Sequence, residues 1–211
     1  LIEIEAKQFD AAIINLRALV DLGQRPDEAY YYLGRVYEDR GEELEAIDSY
    51  DRVGPSREFF DAMRRAAELR LNTGDTRDFQ DGFKRARTNH PGQAEQLYGL
   101  EAELLSEIDE KELAIEIYSE ALDLLPESVS LLYGRAMTFE ALGDISGMES
   151  DLRAILVFKP NNATTLNALG YTLTVHTERY QEAAVLIEKA LELSPGEPAI
   201  LDSLGWVCFK L

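Results

Sequence analysis

Histidine occurs twice and cysteine once in this 211-residue chain, and that scarcity removes most of the side chains from which metal centres and nucleophilic sites are built. His90 stands before Pro91 and His176 before Tyr180, and neither has a Cys, a second His or a regularly spaced carboxylate beside it. No zinc signature results, and neither a metal nor a cofactor is expected. Cys208 rules out an intramolecular disulfide and leaves the redox compartment open. It has no nearby His to activate it, and its Leu-like place on its helix leads us to expect it buried. A Gly-rich phosphate loop of either standard spacing is missing, and Gly143-Asp-Ile-Ser-Gly147 reads as a turn. The carboxylate pairs Glu42-Glu43 and Asp109-Glu110 fall at turns or first turns, where acids favour the positive end of a helix. The chain is therefore not expected to be an enzyme. No apolar run approaches the roughly 18 to 20 residues needed to cross a bilayer, so no membrane contact by this chain is expected. Basic residues are also few: 21 stand against 40 acidic ones, a formal net charge of -19. That balance disfavours nucleic acid, whose phosphates need a basic footprint, and an anionic lipid surface. It reads as a solvated outer face that can also steer basic partners.

What is present is periodicity. With 45% hydrophobic and 29% charged residues the chain has the composition of a folded protein, and its order is clearest from Asn162 to Trp206. Leu166, Leu169 and Leu173 lie at i, i+3 and i+7, one face of a helix. Gly170 and Ala183 are small where two helices would cross, and Pro195 follows a second helical run that it cannot continue. Equivalent runs begin near residues 27, 60, 95, 129, 163 and 198, at spacings of 33, 35, 34, 34 and 35. The spacing predicts helix pairs over 27-59, 60-94, 95-128, 129-162 and 163-197, preceded by a second helix ending a partial unit at 1-26. A first helix over 198-211 follows. Residues 1 to about 8 read as a helix end, Gly54-Pro55 as an early stop to a second helix, and Asn72-Thr-Gly-Asp as an inter-helix turn. Because the chain begins at Leu1 without an initiator Met and stops after one helix of a new unit, it reads as an excised fragment.

These landmarks, a large residue, Leu169-Gly170, an aromatic, then Ala183 and Pro195 over about 34 residues, resemble the tetratricopeptide repeat. The resemblance implies an all-α, right-handed superhelical solenoid of antiparallel helix pairs, acting as a non-enzymatic protein-protein interaction scaffold. It also implies a concave wall made by first helices, at about the second, fifth, ninth, twelfth and thirteenth helical places. On the N-terminal units that pattern selects Tyr31, Arg35 and Arg64 among charged neighbours such as Glu38 and Asp61. On the C-terminal units it selects Tyr133, Met137, Asn167, Tyr171, Asp202 and Trp206, with Phe209 beyond. An aromatic stripe on such a wall points to a peptide or partner helix, since Tyr and Trp give large contact area at low entropy cost. In related arrays an inner-helix Asn hydrogen-bonds the backbone of an extended ligand, and Asn167 stands one turn before Tyr171. The two-carboxylate clamp of chaperone-binding members is not matched, because no Lys precedes an Asn at the required positions.

Thr165-Leu-Asn-Ala-Leu-Gly-Tyr-Thr-Leu, Tyr180-Gln-Glu-Ala and Pro198-Ala-Ile-Leu-Asp-Ser-Leu-Gly-Trp-Val207 are similar to the repeats of proteobacterial outer-membrane lipoproteins of this class. Among these they look most like adaptors that bind a periplasmic carboxyl-terminal processing protease and present peptidoglycan hydrolases to it. That resemblance implies a periplasmic, outer-membrane-anchored parent protein, although no lipidation cysteine is present; the alternative location is cytoplasmic. The alternative function is a structural or self-associating spacer, in which Leu201, Leu204, Val207 and Cys208 of the last helix lack a covering helix.

Overall fold

The computed structural model describes residues 9-72 and 76-211, and the helix end expected over 1-8 and the turn residues 73-75 lie outside that range. Among the described residues the fold is all-helical, with no strand. Helix α1 spans Phe9–Asp21, α2 Pro26–Arg40, α3 Glu43–Asp51, α4 Phe59–Asn72, α5 Thr76–Asn89 and α6 Ala94–Glu107. Then follow α7 Lys111–Leu124, α8 Val129–Ala141, α9 Ile145–Phe158, α10 Ala163–His176, α11 Tyr180–Leu193 and α12 Pro198–Lys210. A single 3₁₀ turn, Pro91–Gln93, precedes α6.

The helix ends have local causes. Pro26 and Pro198 sit in the first turns of α2 and α12, where a missing N–H costs nothing. Ser128, Asp144 and Asn162 cap α8, α9 and α10 by accepting from the N–H of Leu131, Gly147 and Thr165 at 3.2, 3.0 and 3.0 Å. Gly41 closes α2 in the left-handed conformation (φ 75°), where a side chain would be strained. Helix α3 stops at Asp51, ahead of Gly54-Pro55, and is the shortest of the set at nine residues.

Two compact units divide the chain, residues 1-100 and 101-211, and the division falls within α6. In the first unit each helix from α1 to α5 packs on the next, and the first helices α2 and α4 also touch. Its core gathers Ile13, Leu33, Val36, Tyr37, Tyr50, Val53 and Leu69 around Ala46, Ala62 and Ala66. In the second unit α7 to α12 pack in sequence, and α10 also meets α12. Leu131, Leu152, Ile155, Leu169 and Ile187 are buried there.

Close crossings explain the small residues. A Cβ on Gly170 would come within 2.5 Å of Ile187 Cγ1 and 3.0 Å of the Ala183 carbonyl oxygen, so α10 and α11 meet backbone to side chain. A Cβ on Gly34 would likewise come within 2.5 Å of the Tyr50 ring. Gly205 occupies the corresponding place in α12, and nothing stands within 4 Å of where its Cβ would be.

Candidate functional site

The residues selected for the first-helix wall separate into two groups of different character. In the first unit they belong to a polar network. Tyr31 of α2 donates its hydroxyl to Asp61 of α4 at 2.6 Å and accepts from Arg35 at 3.5 Å. Arg65 of α4 reaches Asp61 at 3.1 Å and Glu38 of α2 at 3.2 Å. Tyr50, fully buried on α3, donates to the same Glu38 at 2.5 Å. Burial raises the Tyr50 hydroxyl's pKa, and the Glu38 carboxylate, which accepts its proton in a hydrogen bond, raises it further. Burial alone would raise the pKa of Asp61, but the hydrogen bonds from Tyr31 and Arg65 bring it below the ordinary carboxylate value. Tyr31 therefore joins one first helix to the next, and Arg35 steadies it from within α2. Arg64 is half-buried on α4, and Arg65 beside it crosses to Glu38 of α2. The i, i+4 spacing of Asp61 and Arg65 was the available signal for this tie.

In the second unit the selected residues are less engaged. Tyr133 and Met137 are half-buried on α8, and burial, followed by the negative charge of Glu140, raises the Tyr133 pKa. Tyr171 on α10 is 41% exposed and Trp206 on α12 is 42% exposed, at equivalent places of successive first helices. One turn before them stand Asn167 and Asp202. Asn167 is half-buried, and its Oδ1 is buried with no hydrogen-bond partner among the described residues. An unmatched buried amide oxygen costs about 1–3 kcal/mol. Trp206 stacks on Phe209, ring centroids 5.6 Å apart at 20°, and Lys210 Nζ lies 5.0 Å from the indole centroid. Two neighbours on its own helix thus hold the indole in place.

The last helix also corrects two expectations. Cys208 is exposed, whereas its Leu-like position predicted burial, and Val207 is fully buried instead of uncovered. Helix α12 turns Ile200, Ser203 and Val207, spaced i, i+3 and i+7, toward α10 and α11. Cys208 sits about 100° further round, beside the exposed Leu201, which lies seven residues before it.

Charge pairs missed at the sequence level lie away from this face. Arg135 of α8 grips the buried Asp151 of α9 through two bonds of 2.8 Å and donates to Ser119 of α7 at 2.9 Å. Glu149 and Arg153 on α9 meet Arg179 and Glu182 at α11 in a four-membered ring of ion pairs at 2.5 to 2.9 Å. Their i, i+4 and i, i+3 spacings were legible, but the pairing between helices was not. Among the described residues no cluster of His, Cys, Asp and Glu could hold a metal ion, and no helix is long and apolar enough to cross a membrane. His90 meets the edge of Phe59, centroids 5.1 Å apart.

Comparison with known proteins gives a consistent picture. The tetratricopeptide repeat family matches residues 2-59. A TPR repeat-containing protein of Pseudomonas aeruginosa is 42% identical over 184 residues, which is 87% of this chain but 31% of that protein's length. Among solved structures, YrrB, described as a TPR protein with an unusual peptide-binding site, aligns with 89% of this chain and 96% of its own at 16% identity and a TM-score of 0.53. The first TPR of Spaghetti (RPAP3) bound to an HSP90 peptide aligns with 56% of this chain and 92% of its own at 19% identity and a TM-score of 0.51. Helix pairs repeating at this spacing, with Gly34 and Gly170 seated at the crossings, agree with these matches: the chain carries tetratricopeptide repeats, and the family's own model matches residues 2-59.

Proposed function

We propose that the first-helix face of the second unit binds a segment of a partner protein, and that the protein is a non-enzymatic adaptor. The observation that carries this reading is the pair of exposed aromatics, Tyr171 and Trp206, at equivalent positions of successive helices, each one turn beyond a polar residue. Flat rings of this kind give contact area, while Asn167 and Asp202 supply an amide and a carboxylate for the partner's backbone or side chains. A half-turn of the Asn167 amide about χ2 exchanges its oxygen and nitrogen, so its unmatched group can meet a peptide N–H. Two structural neighbours whose names record peptide binding support the class of ligand. The similarity of residues 165-207 to envelope adaptors supports a narrower version: a carboxyl-terminal processing protease, with peptidoglycan hydrolases as its substrates, in the periplasm.

The test is a pull-down from a cell-envelope extract with the chain as bait beside Asn167→Ala/Tyr171→Ala, bound proteins being identified by mass spectrometry. Recovery of a processing protease or cell-wall hydrolases by the parent chain, and at least tenfold less by the variant, supports the reading. Equal recovery by both moves binding off this face. No partner for either favours a spacer, a reading that the exposed Leu201 and Phe209 of α12 would then support.

A further inference from the structure

The first unit carries a second recess, made by different residues from the polar network between α2 and α4. It is a groove of about 640 Å³ between α1 and α3, floored by α2. Tyr30, Leu33 and Tyr37 line its floor at i, i+3 and i+7, the last two already buried in the unit's core, with Val20 on the α1 wall and Leu44 on the α3 wall. Leu44 is 79% exposed, an aliphatic side chain left in water at the lip of an apolar floor.

We propose that this groove receives an amphipathic α-helix of a partner protein, with two or three aliphatic anchors on one face and Lys or Arg beside them. Its hydrogen-bonding groups select a helix over an extended strand. Ser49 gives its hydroxyl to the Glu45 carbonyl at 2.7 Å, Arg17 donates to the Tyr37 hydroxyl at 2.8 Å, and Arg52 is held by Asp48 at 3.1 Å. The walls are helices whose backbone groups are bonded internally, so no edge is offered to a strand. An extended peptide would find unpaired carboxylate acceptors only at Asp21 and Glu45 on the walls and would leave its other N–H and C=O groups unmatched over the floor, at about 1–3 kcal/mol each. A helix satisfies its backbone itself and presents apolar side chains at the same i, i+3 and i+7 spacing as the floor.

Charge selects the flank. Asp21 on α1 and Glu45 on α3 stand on opposite walls, and neither has an ion-pair partner among the described residues. Arg52 is paired with Asp48, whereas Arg17 donates to the neutral Tyr37 hydroxyl and keeps its charge, so Arg17, Asp21 and Glu45 together leave the groove with one net negative charge. The chain as a whole carries -19, which draws a basic segment toward it and repels an acidic one. This surface is separate from the face around Tyr171, and either can fail without the other.

The experiment uses the full chain and a fluorescein-labelled, hydrocarbon-stapled helix of about 15 residues, a length at which the staple supplies the helicity that isolated peptides lack. The probe carries Leu on one face and Lys at its flanks; a second probe has Glu in place of Lys. Fluorescence anisotropy should show the Lys probe binding the parent chain and binding Leu44→Asp at least about tenfold more weakly, as expected for losing a buried leucine contact. Because Leu44 is exposed, that variant should keep its helicity by circular dichroism. Asp21→Lys/Glu45→Lys should favour the Glu probe, each exposed pair shifting affinity by about two- to fivefold. Failure of both probes to bind, or affinities unmoved by Leu44→Asp or by the charge swap, would overturn the proposal. So would a dimer of the unliganded chain in sedimentation that Leu44→Asp dissolves, since the groove would then belong to a second copy.

Discussion

Replacing Gly170 and Gly205 by alanine, one at a time, isolates the helix crossing on which the repeat depends. The two glycines hold corresponding places in α10 and α12, but only one is crossed. At Gly170 the new methyl would lie 2.5 Å from Ile187 Cγ1 and 3.0 Å from the Ala183 carbonyl, and the second neighbour is backbone that no rotamer change can move. Inserting a methyl into such a contact costs about 1–3 kcal/mol. Alanine returns up to about 1 kcal/mol in either helix, because glycine loses more backbone entropy on folding. At Gly205 only that second effect operates, since nothing lies within 4 Å. Gly205→Ala should therefore stabilise by about 0.5–1 kcal/mol and Gly170→Ala destabilise by about 1 kcal/mol. The propensity gain cancels in the comparison, so the difference of about 2 kcal/mol is the steric cost itself. Urea unfolding followed by circular dichroism at 222 nm measures both, and Ile187→Ala provides the companion background. With Ile187 trimmed, Gly170→Ala should lose at least half of its penalty, a coupling that a double-mutant cycle reads directly. Equal effects from the two alanines, or no coupling to Ile187, would refute the crossing as the reason for Gly170.

Three further outcomes are expected. Arg135→Met should destabilise by roughly 3 kcal/mol in thermal or urea unfolding, because it strands the buried Asp151 carboxylate, and Arg135→Met/Asp151→Asn should recover part of that loss. Burial, with a smaller contribution from Glu103, pushes the Tyr118 pKa up to about 12. The folded chain then holds a proton that the unfolded chain releases above its ordinary value of about 10, so this contribution is complete below pH 10 and lost between about pH 10 and 12. Tyrosinate absorbance should show several late-ionising hydroxyls, since the Tyr50 and Tyr133 pKa values are raised as well, and Tyr118→Phe should remove the one that titrates near pH 12. Burial alone would raise the pKa of Glu149, but hydrogen bonds from Arg153 and Arg179 bring it below 4.5. Its stabilisation is present above that value and lost as the pH falls through the lowered one. Glu149→Gln should flatten the acid limb of the stability profile, by under about 1 kcal/mol because the ring is partly solvated.

Much of the fold was legible because its causes are local. Gly170 with Ala183, the stop at Pro195 and the early stop at Gly54-Pro55 are each forced by backbone geometry that a sequence displays. What escaped depends on neighbours distant in sequence. Gly134 is seated against Tyr118 of the preceding helix pair, where its Cβ would lie 2.5 Å from the hydroxyl oxygen. Arg70 is a charged residue with a side chain only 3% exposed, tolerable because Asp51 and Asp78 pair with it at 2.5 and 3.2 Å. Gly82 makes room for that guanidinium: a Cβ there would lie 2.7 Å from it.

The wall residues show the same boundary. Helical position put Tyr171 and Trp206 on one face, and both rings are partly exposed, but it could not show that Tyr31 and Arg35 hydrogen-bond within the wall. Nor could it show that Arg65 reaches across to Glu38, because that contact depends on how α2 and α4 pack. Cys208 was misplaced because the apolar positions of α12 extend around more of the helix than α10 and α11 cover.

The most direct test of the account is photo-crosslinking with p-benzoylphenylalanine placed at Tyr171 in one version of the chain and at Val185 in another. Both positions are exposed, but Val185 lies on the second helix α11. In a cell-envelope extract the probe at 171 should capture a discrete protein that the probe at 185 does not. Capture from 185 alone, or equal capture from both, would contradict a binding face built on the first helices.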